Sequence, residues 1–217
     1  MSLRFSYVIT FFLSLLCFFI LFLLQLNELI YFVFAFIIIF AIVMYPILKI
    51  SFWETNLEKI ENFLVKNKKN ANFYIIYALA NKTDDEVKSI TNKLVAKTKN
   101  KSRIAHYKMM EAIYFKDLTA ARKIVVDIVD PKYRNYYEAM IAIEDGDEKR
   151  AEELMKEIPN NWMYYALLVV HEQKKNNLAK AKKYAQKAIE ETKGLQRYLL
   201  HKTYEREFST QNQNKTS

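Results

Sequence analysis

The hydrophobic pattern divides the chain near residue 50. Phe5 to Ile50 is an almost continuous apolar run, interrupted at Gln25-Leu26-Asn27-Glu28, and the rest alternates apolar and charged positions at helical spacing. Phe5 to Leu24 carries no charge, and Ile30 to Leu48 is uncharged and richer still in Phe and Ile. About 20 helical residues at 1.5 Å rise reach roughly 30 Å, the thickness of a bilayer's hydrocarbon core. Lipid leaves no partner for an unpaired backbone group, so the two runs predict two α-helices, a transmembrane hairpin with spans at 5–24 and 30–48. The first run is too long for a signal peptide and no small-x-small cleavage pattern follows it. Cys17, preceded by Leu15-Leu16, reads as an apolar filler rather than an acylation site.

Basic residues set the orientation. Arg4 precedes the first span, Lys49, Lys59, Lys66, Lys68 and Lys69 follow the second, and the connecting turn has no Lys or Arg. The positive-inside rule then predicts a multi-pass cell-membrane protein with two spans, both termini cytoplasmic and Asn27-Glu28 outside. Arg4, Lys49, Phe52 and Trp53 are the expected membrane-interface residues, and Pro46 is expected to mark the end of the second helix. Trp53, Leu57, Ile60, Phe63 and Leu64 form an amphipathic stripe. It predicts a juxtamembrane helix and linker over 51–70, continuing the second span or lying along the membrane surface.

From Ala71 the pattern repeats. Charged amphipathic segments begin at Asp117, Asp147 and Asn177; Ala121, Ala151 and Ala181 lie thirty residues apart, with Ile124, Leu154 and Tyr184 and then Ile128, Ile158 and Ala188 in register. A weaker copy starts at Thr83, where Glu86 would complete a capping box. Asp117, Asp147 and Asn177 are good N-cap types. Pro131 and Pro159 fall just beyond the helices that start at Asp117 and Asp147. Ahead of each cap lies an aromatic-rich helix, at 73–80, 104–115, 133–143 and 162–171. A last helix over 195–208 has no partner, and 209–217 reads as a disordered end. The expectation is an all-α chain: a two-helix hairpin, then an α-solenoid of helix pairs over 71–208.

Ala181, Tyr184 and Ala188, after Asn176-Asn177 in the turn, together with Tyr165-Ala166-Leu167-Leu168 in the helix before, carry a resemblance to tetratricopeptide repeats over about residues 71–193. The repeat here is nearer thirty residues than that family's usual length, which leaves a divergent helical-repeat fold as the alternative. The resemblance implies a concave groove, lined by the first helix of each pair, that takes a peptide or helix segment of a protein partner. Carried onto this chain, the groove residues are Tyr107, Tyr114, Tyr136, Tyr137, Tyr164 and Tyr165, with Arg103, Lys108, Asn135 and Arg197. Tyrosines at helical spacing serve packing between repeats more often than ligand contact, although a part-exposed ring with its hydroxyl suits an interface.

Composition narrows the chemistry. The 217 residues carry a net charge of +9, of which Arg4, Lys49 and Glu28 account for a net +1 in the first fifty; the remainder belongs to the segment after the hairpin. A basic domain tethered to a membrane is drawn to anionic headgroups, so the bilayer is a second partner. Interspersed Glu and Asp and the absence of an Arg-rich cluster argue against nucleic acid. One Cys, and no His-x-x-x-His pair, leave no basis for a disulfide framework or a metal site. Two glycines exclude a Gly-rich phosphate loop. No cofactor and no catalytic constellation is signalled. The expected function is a non-enzymatic, membrane-anchored scaffold or adaptor for a protein partner. The alternative is an accessory or regulatory subunit acting through its hairpin against another membrane protein, with its basic domain on anionic lipid.

Overall fold

The computed structural model describes residues 11–12, 15–16, 19–20, 28–81 and 83–213, and they are all-helical, with no strand among them. The chain divides into two compact units, Met1–Trp53 and Glu54–Ser217.

In the first unit, the expected span at 5–24 falls largely outside the described residues; its six described positions are helical. The second run forms α1, Glu28–Leu48, continued by a π-helical turn at Lys49–Trp53. One helix among the described residues, Leu29–Trp53, is long and apolar enough to cross a membrane, and none of the window that qualifies it is buried. Pro46 lies inside this helix rather than at its end. Proline removes one backbone donor, and the helix passes it and widens three residues later instead of stopping.

The second unit starts with α2, Leu57–Lys66, capped by the Asn56 side chain, which accepts from the Lys59 N–H at 2.9 Å. Ile60 and Leu64 of α2 are completely buried, and Phe63 meets Phe73 edge-on at 5.1 Å. Three non-helical residues, 54–56, separate α2 from the helix before it. Protein covers Ile60 and Leu64 of the stripe, because α2 packs on α3 (Ala71–Asn81) and on the last helix, whereas Trp53 at its start is exposed.

Four helix pairs follow: α3 with α4 (Asp84–Ala96), α5 (Lys101–Tyr114) with α6 (Leu118–Val125), α7 (Pro131–Asp145) with α8 (Glu148–Lys156), and α9 (Trp162–Lys174) with α10 (Leu178–Glu190). One turn design joins three of them. Lys116, Gly146 and Asn176 adopt φ of 56°, 78° and 57°, thirty residues apart. The next residue's N–H returns to the helix before it: Asp117 to the Ala112 carbonyl at 2.8 Å, Asp147 to Ala142 at 2.9 Å, Asn177 to Glu172 at 2.8 Å. That same residue's side chain then caps the following helix, accepting from Ala120, Arg150 and Lys180 N–H groups. A left-handed residue closing one helix and an Asp or Asn opening the next satisfies orphan groups at both ends.

The first pair departs from this design. The Thr83 side chain makes no cap; its hydroxyl donates to the Ala78 carbonyl at 3.3 Å. Glu86, expected to complete a capping box, instead accepts from the Tyr74 hydroxyl at 3.1 Å and pairs with Lys68 at 3.3 Å. A charged partner and a phenol outcompete a backbone N–H for that carboxylate. Pro131 opens α7 at its first turn, behind the cap Asp130. There its missing N–H removes nothing.

Burial follows the thirty-residue register at two positions: Ala121, Ala151 and Ala181 are at most 2% exposed, and Ile128, Ile158 and Ala188 two turns further on are also buried, while Ile124 and Tyr184 are only partly so. Val87 and Leu94, both buried, hold the matching places in α4. The last helix, α11 (Gly194–Gln213), packs on α10 and also on α3 and α2, so the end of the domain returns to its beginning. The Gly194 N–H donates to the Glu54 carbonyl at 2.7 Å. α11 runs on past the expected disordered boundary at 209 as far as Gln213, with the Ser209 hydroxyl bonded back to the Glu205 carbonyl at 2.6 Å.

Candidate functional site

The tyrosines that the repeat resemblance selects sit on α5, α7 and α9, and their neighbours decide what each can do. On α5, the Tyr107 hydroxyl donates to Asn72 Oδ1 at 3.0 Å and the Tyr114 hydroxyl to Asp84 Oδ1 at 2.6 Å. Burial first, then the adjacent Asp84 carboxylate, pushes the Tyr114 phenol well above its ordinary pKa. On α7, Tyr136 is buried, edge-on to Tyr137 at 5.2 Å and to Trp162 at 5.8 Å. Tyr137 bridges two core clusters, and burial pushes its pKa up to about 12. On α9, Tyr164 packs on the cluster around Tyr136, while Tyr165 belongs to the cluster of Val169, Ala181 and Tyr204.

Three of these rings are neighbours of α11. Burial raises the pKa values of Tyr136 and Tyr204, and each feels the Glu207 carboxylate nearby; Tyr204 also feels Tyr136. Arg206 lies close enough to Tyr114 to favour its phenolate, and donates to the Ala80 carbonyl at 2.8 Å. The Gln173 amide donates to Glu207 at 3.3 Å, Asn81 donates to the Tyr198 hydroxyl at 3.0 Å, and Lys202 pairs with Glu61 at 3.4 Å. α11 thus packs on α2, α3 and α10 and meets α9 through Tyr204 and Glu207, and among its described side chains only Glu205 and Ser209 are exposed. Tyr204 of α11 shares a core cluster with Tyr165, and the charges of Arg206 and Glu207 reach Tyr114 and Tyr136.

The polar candidates separate in the same way. Arg103 and Lys108 are exposed on α5, and Asn135 is partly exposed on α7. Arg197 is a structural cap: its Nη1 donates to the Ile189 and Thr192 carbonyls at 3.0 and 3.3 Å, at the end of α10. Of the membrane-interface residues, Arg4 lies outside the described residues. Lys49, Phe52 and Trp53 share the π-helical turn, all exposed, with the Phe52 and Trp53 rings edge-on at 6.2 Å.

Two features escaped the sequence reading. The residues of α11 that face the other helices, Tyr198, Tyr204, Arg206 and Glu207, were not among the candidates. Their signal was the absence of any apolar stripe in an unpaired helix, which fits a helix contacted on several sides. The second is an ordering of charge. Arg122 with Asp145, Arg150 with Glu138, Lys174 with Glu144 and Lys175 with Glu148 form ion pairs between neighbouring helices, whereas among the described residues the lysines of α10 have no carboxylate partner. Burial lowers the pKa of His106, which stands edge-on to Tyr133 at 5.3 Å. Among the described residues, no three His, Cys, Asp or Glu side chains converge as a metal site would require. No protein-family model, no curated protein and no solved structure matches this chain.

Proposed function

We propose that the chain is a membrane-anchored interaction adaptor: a two-span hairpin holds a cytoplasmic solenoid of tetratricopeptide-like helix pairs, which engages a protein partner without catalysis. The observation that carries this reading is the division into an exposed apolar helix, Leu29–Trp53, and a unit from Glu54 with its own buried core and a turn repeated every thirty residues. A core built on one recurring alanine position and one recurring cap supports a repeat array, and such arrays serve as binding surfaces.

The accessible candidates lie on α5, where Arg103 and Tyr107 are one turn apart and the exposed Lys108 stands about 100° further round the helix. An exposed cation one turn from a part-exposed tyrosine suits an acidic peptide or helix segment, with Lys108 at its margin. The lateral surface of α1, with no burial in its qualifying window, favours a second reading in which the hairpin itself packs on another membrane protein.

Crosslinking in native membranes followed by affinity purification tests both. The full chain is compared with an Arg103→Glu, Lys108→Glu variant, whose exposed substitutions leave the core intact, and with a chain whose hairpin is replaced by an unrelated one. A discrete partner lost only in the charge variant supports the adaptor reading. A partner retained there but lost on hairpin replacement transfers the function to the membrane segment.

A further inference from the structure

Exposed charge is divided unequally among the second helices of the pairs. α8 exposes Glu148, Glu152 and Glu153 beside Lys149, Arg150 and Lys156, a mixed surface. α10 exposes Lys180, Lys182, Lys183 and Lys187, with no acidic residue before Glu190. Lys180, Lys183 and Lys187 follow i, i+3, i+7 spacing and so share one face, opposite the buried Ala181, Ala185 and Ala188. Lys182 and Lys187 lie over the rings of Phe208 and Tyr165, at 5.7 and 5.4 Å, rather than beside carboxylates. The acidic residues of this surface are Glu190 and Glu191 in the last turn, and the Gln186 amide holds Glu190 at 2.8 Å. Beyond them come Lys193 and then Gly194, whose N–H is bonded to the Glu54 carbonyl. Glu54 follows Trp53, the last residue of the apolar helix. The exposed charges of α6 are also all cationic, Arg122 and Lys123, but Arg122 is paired with Asp145; the lysine-faced α10 is the second helix that leads, four residues past its end, to the bond with the domain's point of attachment.

We infer that the lysine face of α10 docks on the anionic headgroups of the bilayer that holds the apolar helix. The inference rests on reading Leu29–Trp53 as a membrane span. Near an anionic leaflet each lysine favours the docked state about fivefold, so three in a row favour it roughly a hundredfold. The surface potential acts only within a Debye length, ~10 Å at 0.1 M salt. A helix end held at the tether keeps the charges within reach without a separate association step. The acidic residues of α8 make it the less suitable face.

The test uses the full chain in lipid nanodiscs, with Cys17→Ala and a fluorophore on Ala179→Cys beside the lysine row or, as a control, on Glu153→Cys of α8. Headgroup-nitroxide lipid is present in both phosphatidylcholine discs and discs that also contain phosphatidylglycerol. The expected result is quenching at position 179 in the anionic discs alone, abolished by high salt. It is also abolished by Lys180→Glu, Lys183→Glu, Lys187→Glu, with position 153 unaffected throughout. Equal quenching in neutral discs, equal quenching at both labels, or an unaffected triple variant overturns the inference. Protection of position 179 by single-stranded RNA in place of phosphatidylglycerol reassigns the face and overturns it as well. Resistance to alkaline carbonate extraction separates the two failures: a chain released from membranes refutes the span, while a chain retained with position 179 unquenched refutes the lysine contact alone.

Discussion

Gly146, Lys116 and Asn176 do the same conformational work with different side chains. At φ of 78° Gly146 has nothing within 4 Å of where a Cβ would stand, so Gly146→Ala meets backbone strain alone. The left-handed region disfavours a Cβ by roughly 1–2 kcal/mol, so the variant should lose about 1 kcal/mol of stability. Lys116→Gly removes the same strain at the equivalent position and should gain about 0.5 kcal/mol, the looser unfolded chain offsetting part of the relief. Chemical unfolding followed by circular dichroism measures both changes, and equal signs would refute the shared turn. Asp147→Ala deletes a cap and should lose about 1 kcal/mol. At this scale the caps were legible, because Asp and Asn announce themselves before an apolar period. Lys116 was not, since nothing in a lysine marks a positive φ, and the Thr83 box failed because Lys68 and Tyr74, close in space, claimed Glu86.

Among elements, the pairs were legible from periodicity and α2 and α11 were not. A stripe shows that a face is buried, not by what: after a long apolar run the α2 stripe suggested lipid, yet Ile60 and Leu64 are covered by protein. α11 has neighbours on several sides and so no stripe to read, and nothing in the sequence shows which helices it meets. Enclosure has a measurable signature. Tyr204, 7% exposed, should cost about 3 kcal/mol or more when truncated to alanine, while Glu205→Ala one residue away stays within about 0.5 kcal/mol. Melting temperatures that fall equally for both would show α11 to be a surface helix. Tyr198→Phe, which removes the acceptor used by Asn81, should lose about 1 kcal/mol.

For the whole domain, the buried phenols set a limit at alkaline pH. Tyr114, Tyr136, Tyr137, Tyr198 and Tyr204 are all raised above the ordinary tyrosine value of 10, with Tyr137 near 12, and burial leads in each case. A raised folded-state pKa means that the native state holds its proton more tightly than the unfolded one. Their contribution is therefore complete below about pH 10 and is lost as pH rises from there through 12. Tyrosinate absorbance should lag free tyrosine and then appear together with loss of helical dichroism. Smooth titration of all fifteen tyrosines near pH 10 in a chain that remains helical would contradict this.

The return of α11 to α2 and α3 also bears on biosynthesis. The bond between Asn81 and Tyr198 spans 117 positions and that from Arg206 to Ala80 spans 126. A ribosome adding about 5–20 residues each second needs on the order of ten seconds to cross such an interval. Throughout it, α2 and α3 have emerged without the helix that completes their packing. The part of the domain made first is the last to be covered, so the apolar faces of α2 and α3 that meet α11 stay open to solvent until α11 has been translated.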